Sequence, residues 1–381
     1  MKKIKIIADN KIPFLKGVLE PFVKISYLDP FQITRETVKD AEALLVRTRT
    51  KCDSELLEGS TIKFIGTATI GFDHIDTELC EINGTKWINA PGCNSSSVQQ
   101  YVVSALLTIA KLKKMQLDSI TIGIVGVGNV GSKVQKAANI LGLKILLNDP
   151  PRERKEGNEK FVGLDQLVEE SDILTIHVPL NMNGIDKTFH LVNDEFFKKF
   201  NKGMIIINTS RGEVIDTNSL RNAIKNEKVI SSVLDVWENE PKIDIKLMNL
   251  VDIATPHIAG YSIEGKANAT AACVNSLNKY FNLGLAENWY PNNLPLPARS
   301  KEIIIECNGK SRQEIFFEGI NSTYNITEDD KRLRNDVTNF EQQRVEYPTR
   351  REFNFYNVQL LNADKSLHEA FSELGFNLIE P

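Results

Sequence analysis

The sequence predicts an α/β protein: two domains on doubly wound parallel sheets, followed by a small α/β appendage at the C-terminus. Three observations carry this. Short apolar runs alternate with helical stretches from the first residues to about position 285. One of these alternations, residues 120–150, sets glycines at G-x-G-x-x-G spacing between a strand and a helix. A proline-rich stretch at 289–300 then opens a more polar tail of about eighty residues.

In the first ninety residues the apolar runs are 4–8, 23–28, 43–47, 63–67 and 86–89, and the helical stretches are 14–20, 54–58 and 75–82. Strands joined through helices pair in parallel, and ligand groups collect at their carboxyl ends. Those ends read VRTRT and GTATIGFDHID. Arg47, Thr48 and Arg49 at one, with Thr67 and Thr69 at the other, make a candidate anion pocket. The competing reading of the arginines is a solvated loop. Asn89-Ala90-Pro91-Gly92 marks a domain boundary, and Asn94, Ser95, Ser96 and Ser97 suit the start of a helix. Val98, Val102, Leu106, Ile109 and Leu112 hold its helical period to about residue 117.

Residues 120–125 read as a buried strand, followed by Gly126, Gly128 and Gly131 and a helical pattern in Val134, Ala137, Ala138 and Leu141. A second strand, 143–147, leads into Asp149, eighteen residues after the last glycine. This arrangement suits a dinucleotide. The glycine turn, with Asn129 and Val130 at the helix start, offers N–H groups to a pyrophosphate, and Asp149 accepts from the adenosine ribose hydroxyls. A carboxylate there repels the 2′-phosphate of NADP, so NAD is the expected cofactor. Arg152 and Arg154 follow, either softening that preference or standing in a solvated loop.

The alternation continues with helices at 164–170, 194–200 and 216–226, strands at 173–178, 204–208, 229–236 and 250–254, and a helix at 263–283. Strand ends bring His177, Val178 and Pro179, then Thr209, Ser210 and Arg211, then Asp235, then Gly260 and Tyr261. Three motifs supply a cation, an acid and a titratable base: Arg211 in INTSRGE, Glu240 in LDVWENEP and His257 in TPHIAGYS. Singly they read as a surface charge, a solvated acid and a satisfied histidine. Together they fall at one sheet edge beside the expected nicotinamide.

Composition excludes other classes. A net charge of −4 argues against a general nucleic-acid or anionic-membrane binder, and no apolar run is long enough to span a bilayer. Five scattered cysteines, with no C-x-x-C pair, read as free thiols of a reducing compartment rather than a disulfide framework or metal site.

INTSRG, LDVWENEP, TPHIAG, NAPGCNSSSV and the glycine fingerprint together resemble the NAD-dependent D-isomer-specific 2-hydroxyacid dehydrogenases over residues 1–285. The spacings, twenty-nine residues from Arg211 to Glu240 and seventeen on to His257, agree with that family. The resemblance implies a catalytic Arg211–Glu240–His257 set, with Asp235 and Ser210 at the nicotinamide end. It implies a flavodoxin-like substrate lid from residues 1–92 and 258–288, a Rossmann NAD domain over 93–257 and a dimerisation domain over 289–381. VRTRT, GTATIGFDHID, Tyr261, NDPP and YPTRREF point to members acting on a phosphorylated 2-hydroxy acid as cytoplasmic homodimers. Arg47, Thr48, Thr69, Tyr261, Arg350 and Arg351 are the substrate candidates, the last pair toward the phosphate. Val178 replaces a usual threonine, and Gln100 an expected glutamate on a helix away from the triad. Alternatives are a dehydrogenase of 3-phosphoglycerate or of glyoxylate and hydroxypyruvate, and a non-catalytic NAD-sensing scaffold.

Overall fold

The computed structural model describes residues 3–379. The chain forms two compact units, Met1–Asn94 with Ser262–Pro295 and Ser95–Tyr261 with Leu296–Pro381.

In the first unit five parallel strands, β1 (Lys5–Asp9), β2 (Lys24–Leu28), β3 (Ala43–Val46), β4 (Phe64–Thr67) and β5 (Lys86–Ile88), stand in the order β2-β1-β3-β4-β5. This is the flavodoxin-like order, and the direction of winding reverses at β1 and β3. β3 and β4 are buried along their whole length, as strands covered on both faces must be. The helix Ile263–Phe281 returns to this unit and packs Cys273, Val274 and Leu277 onto the β1, β3 and β4 face. The helix expected at 14–20 is a chain of turns. Leu15 and Leu19 are buried as its apolar spacing suggests, but Gly17 sits at φ 86° and Phe14 at φ 60°, which no α-helix accommodates.

The second unit carries β6 (Thr121–Val125), β7 (Lys144–Asn148), β8 (Ile173–Ile176), β9 (Met204–Asn208), β10 (Val229–Leu234) and β11 (Ile253–Ala254), in the order β11-β10-β9-β8-β6-β7. The winding switches at β6, where a ligand crevice is expected outside the carboxyl ends. The strand expected at 250–254 is cut to two residues because the preceding groups turn elsewhere. Asp252 accepts from Ser231 Oγ and Ser232 N on β10, and the Val251 carbonyl takes Arg334 Nη2.

The tail does not form the separate third body expected from residue 289. Its sheet of β12 (Glu302–Glu306), β13 (Asn357–Leu361) and β14 (Asn377–Leu378) buries Ile303, Ile305, Val358 and Leu360 in one core with the helices Ser95–Lys113 and Asn129–Ile140. The tail helix Ile326–Asn335 also covers the edge strand. Asp330 accepts from the Ala254 N–H at 2.8 Å, and Arg334 Nη1 and Nη2 donate to the carbonyls of Met248 and Val251, both at 2.8 Å. Asp330 thus meets a backbone N–H that an open sheet edge leaves unpaired, while Arg334 caps carbonyls that precede the strand.

Phe371 is fully buried and stacks on Phe316 with ring centroids 5.3 Å apart. Phe371→Ala should cost about 3–5 kcal/mol in chemical denaturation. The loss should appear in the transition that exposes Trp237, buried in the same unit. A separate early transition confined to the tail would contradict a shared core.

Candidate active site

After β6 the chain turns at Gly126, φ 87°. A Cβ there would lie 2.7 Å from the His177 carbonyl oxygen, and one on Gly131 would lie 2.0 Å from the Gly126 carbonyl oxygen. Close packing of β6, the end of β8 and the following helix therefore fixes both glycines. Gly128 differs. It is the N-cap of the helix Asn129–Ile140, and a Cβ on it would meet nothing within 4 Å. That open space before a helix N-terminus fits the approach of a pyrophosphate, so the residues present suit NAD.

Asp149 stands at the end of β7. Its Oδ2 accepts from Val127 N at 2.8 Å and its Oδ1 from Arg152 N at 3.0 Å, tying the glycine turn to the next helix. Each oxygen keeps a second lone-pair direction for a ribose hydroxyl. Arg152 is not in a solvated loop. It donates to the Val127 carbonyl at 2.5 Å and pairs with Glu156 at 2.7 Å.

His177 ends β8 and shares hydrogen bonds with Thr175 Oγ1 at 2.9 Å and Thr209 Oγ1 at 3.2 Å. Burial pushes its pKa down to about 3, so it is a neutral fixture of the site. Val178 packs over Gly126, and the Pro179 carbonyl accepts from Thr188 Oγ1 at 2.6 Å.

At the end of β9, Asn208 organises the turn that presents Arg211. Its Oδ1 accepts from Ser210 N and Oγ at 3.0 and 2.8 Å, and its Nδ2 donates to the Arg211 carbonyl at 3.0 Å. Gly212 lets the loop after β10 come close, since a Cβ there would sit 1.9 Å from the Trp237 carbonyl carbon. The guanidinium of Arg211, half-buried, donates from Nη1 to the Ser210 carbonyl at 2.8 Å.

On the neighbouring loop Glu240 Oε1 accepts from Trp237 N at 3.0 Å, and Oε2 meets His257 Nδ1 at 2.8 Å. Burial alone would raise the Glu240 pKa. The charge and hydrogen bond of His257, the Trp237 N–H and the charge of Arg344 outweigh it and hold the carboxyl below its usual range. His257 Nε2 has no partner among the described residues, and the side chain is 32% exposed.

The backbone of His257 lies at φ 56°, a left-handed conformation that costs about 1–3 kcal/mol outside glycine. Asp235 holds it there. The Asp235 carbonyl accepts from His257 N at 2.7 Å. Its Oδ1 accepts from Ile258 N at 2.7 Å and Thr255 Oγ1 at 2.6 Å, and its Oδ2 from Ala259 N at 2.8 Å. Burial raises the Asp235 pKa, opposed by the His257 charge and these donors. The resemblance implies a place for Asp235 at the nicotinamide end, whereas its grip on the His257 loop has no local signal in the sequence.

Arg350 and Arg351 are not the phosphate readers expected from YPTRREF. Both are buried. Arg350 lies 4.5 Å over the Tyr324 ring and spends Nη2 on Ser97 Oγ and the carbonyls of Ile258 and Ala259. Arg351 stacks 4.1 Å over Phe355, and its carbonyl accepts from Gln100 Nε2 at 3.0 Å. Gln100, noted only as a departure, fastens the tail to the helix Ser95–Lys113. Tyr261 packs edge-on against Tyr347 of the tail, ring centroids 5.9 Å apart, and follows Gly260 at the end of the His257 loop.

Within the first unit, Arg47 is half-buried at the end of β3 and donates to the Lys11 carbonyl at 3.1 Å, while Thr48 is exposed beside it. At the end of β4, Thr69 Oγ1 donates to the Gly71 carbonyl at 2.9 Å. It also bonds Thr67 Oγ1 at 2.7 Å, and Thr67 in turn meets His74 Nε2 at 3.0 Å. His74 was not singled out in the sequence, where only its place in GTATIGFDHID marks it.

Residues 96–259 match the family model of the D-isomer specific 2-hydroxyacid dehydrogenase NAD binding domain, and residues 297–375 match a domain of unknown function. The erythronate-4-phosphate dehydrogenase of Bacteroides thetaiotaomicron is 49% identical over 93% of this chain and 99% of its own length. That of Proteus mirabilis is 38% identical over 98% and 99%. Among solved structures, the D-lactate dehydrogenase of Aquifex aeolicus complexed with NAD and lactic acid aligns with TM-score 0.62 at 27% identity, covering 73% of this chain and 95% of that one. The NAD-bound 3-phosphoglycerate dehydrogenase of Entamoeba histolytica aligns with TM-score 0.62 at 26% identity, covering 77% and 100%. The chain belongs to the erythronate-4-phosphate dehydrogenase family, within the D-isomer-specific 2-hydroxyacid dehydrogenases.

Proposed function

We propose that this NAD-dependent dehydrogenase oxidises 4-phospho-D-erythronate at C2, giving 2-oxo-3-hydroxy-4-phosphobutanoate for pyridoxal 5′-phosphate synthesis, and that it works as a cytoplasmic homodimer. The shared name of its relatives supports the substrate. The observation that carries the chemistry is the 2.8 Å pair of His257 Nδ1 and Glu240 Oε2, which leaves Nε2 unspent.

Bound NAD would supply the acceptor for the hydride from C2. The protein handles the proton and the charge. Arg211 clamps the substrate carboxylate in a fork and polarises the C2 oxygen. His257 Nε2 takes the C2 hydroxyl proton as general base. Glu240 fixes the ring orientation and stabilises imidazolium as it forms. Asp235 fixes the loop from which the imidazole acts. Asp149, Gly128 and the start of the helix Asn129–Ile140 would hold the adenosine ribose and pyrophosphate. Tyr261 is the proposed substrate contact of the second unit, and Thr69, Arg47 and Thr48 are the polar candidates of the first.

His257→Ala should lower kcat by about 10²–10⁴, the usual size of a general-base contribution, with NAD affinity kept in a nucleotide titration. A fall below about tenfold would take His257 out of proton transfer. Glu240→Gln replaces the carboxylate that orients the imidazole through the 2.8 Å contact with Nδ1, and kcat should fall by about 10-fold or more with NAD affinity kept in the same titration. An unchanged kcat would leave Glu240 a structural role only. For the assembly, light scattering should return twice the 42.9 kDa chain mass, and a single-chain mass would refute the homodimer.

A further inference from the structure

Arg344 belongs to the tail helix Phe340–Val345, yet its side chain lies against the catalytic loop. Its guanidinium is 5.6 Å over the ring of Tyr261, four residues beyond His257, and its positive charge acts on Glu240. The Tyr261 ring is itself held edge-on by Tyr347. Nη1 of Arg344 donates to Glu341 Oε1 at 3.0 Å. The buried Nε has no acceptor, and Nη2 has none among the described residues. With the side chain only 17% exposed, this is a desolvated, permanently charged group whose Nε–Nη2 edge is unspent. A buried donor without a partner is costly, which makes such an edge uncommon without a purpose.

Charge balance gives it one. A 4-phosphorylated hydroxy acid carries about three negative charges near neutral pH, given a phosphate second pKa near 6. The second unit already sets the carboxylates of Glu240 and Asp235 beside the reacting centre, and the proposed fork of Arg211 serves one carboxylate. Arg350 is occupied with Ser97 and the carbonyls of Ile258 and Ala259. We propose that Arg344 receives the substrate phosphate through its Nε–Nη2 edge, with Tyr261 as the platform that aims it. A guanidinium edge matches two phosphate oxygens, a geometry that the point charge of lysine lacks. The inference rests on the proposed phosphorylated substrate and assigns the group that reads its phosphate.

The test uses full-length protein carrying Arg344→Gln or Arg344→Lys. With 4-phospho-D-erythronate, Arg344→Gln should raise KM by about 10- to 100-fold while kcat changes by less than about threefold, the size expected for lost hydrogen bonds to a charged group. Arg344→Lys should recover part of that loss. In parallel, inorganic phosphate is titrated calorimetrically into NADH-loaded protein, a measurement that needs no turnover. Its affinity should fall by a similar factor in Arg344→Gln. A lowered kcat with KM and phosphate affinity kept would place Arg344 in support of Glu240 instead and overturn the proposal, as would no change in either. Wild-type protein that failed to oxidise 4-phospho-D-erythronate would refute the substrate, while the phosphate titration would still judge Arg344.

Discussion

The loop that carries His257 is held between two buried, opposite charges. From the sheet side, the Asp235 carboxylate takes the N–H groups of Ile258 and Ala259. From the tail, the Arg350 guanidinium takes the carbonyls of the same two residues. The charges also act on each other, since Asp235 is among the groups that favour protonated Arg350. The peptide unit between Ile258 and Ala259 is held at both ends, its N–H by Asp235 and its C=O by Arg350, and hydrogen bonds to charged groups are stronger than neutral ones. This double grip offsets the left-handed backbone of His257 and sets the imidazole where Glu240 meets it. The His257–Glu240 pair depends on geometry that neither partner supplies alone.

That dependence explains which parts of the site were legible in the sequence. The glycine fingerprint, Asp149 and the Arg211, Glu240 and His257 motifs announce themselves because each is a short strand-end segment with a chemical reason for its spacing. Gly212 belongs with them, and its reason is steric: the Trp237 backbone occupies the place of its side chain. Gln100, Asp330, Arg344 and Arg350 act across sequence separations with no local period, so nothing near them in the chain reveals a partner. The arginines of YPTRREF carry the charge that a phosphate site needs, but their burial against Tyr324 and Phe355 is a tertiary fact with no local signal. The turns at 14–20 show the opposite failure. Leu15 and Leu19 keep an apolar spacing that suits a helix, but burial is reached without one.

The tail adds to the dehydrogenase core in three ways. It pairs the edge of β11, fills the far side of the helix Ser95–Lys113, and sends Arg344 and Arg350 toward the end of the sheet. The first and third require polar side chains to reach into a layer already built, which contributes to the more polar composition of the last eighty or so residues. A sequence that looks like a solvated appendage is polar in part because it satisfies backbone groups of its host.

The coupling of Asp235 to Arg350 bears on how such proteins change over time. Because one end of the grip belongs to the sheet and the other to the C-terminal segment, neither segment drifts independently. A substitution near residue 350 that shifts the guanidinium changes the selective cost of every substitution in residues 255–261, and the reverse holds equally. The C-terminal segment is therefore a poor unit of recombination: transplanted onto another dehydrogenase it would arrive without its loop, and replaced here it would leave one. Lineages that acquired it should have kept it with its loop as a pair.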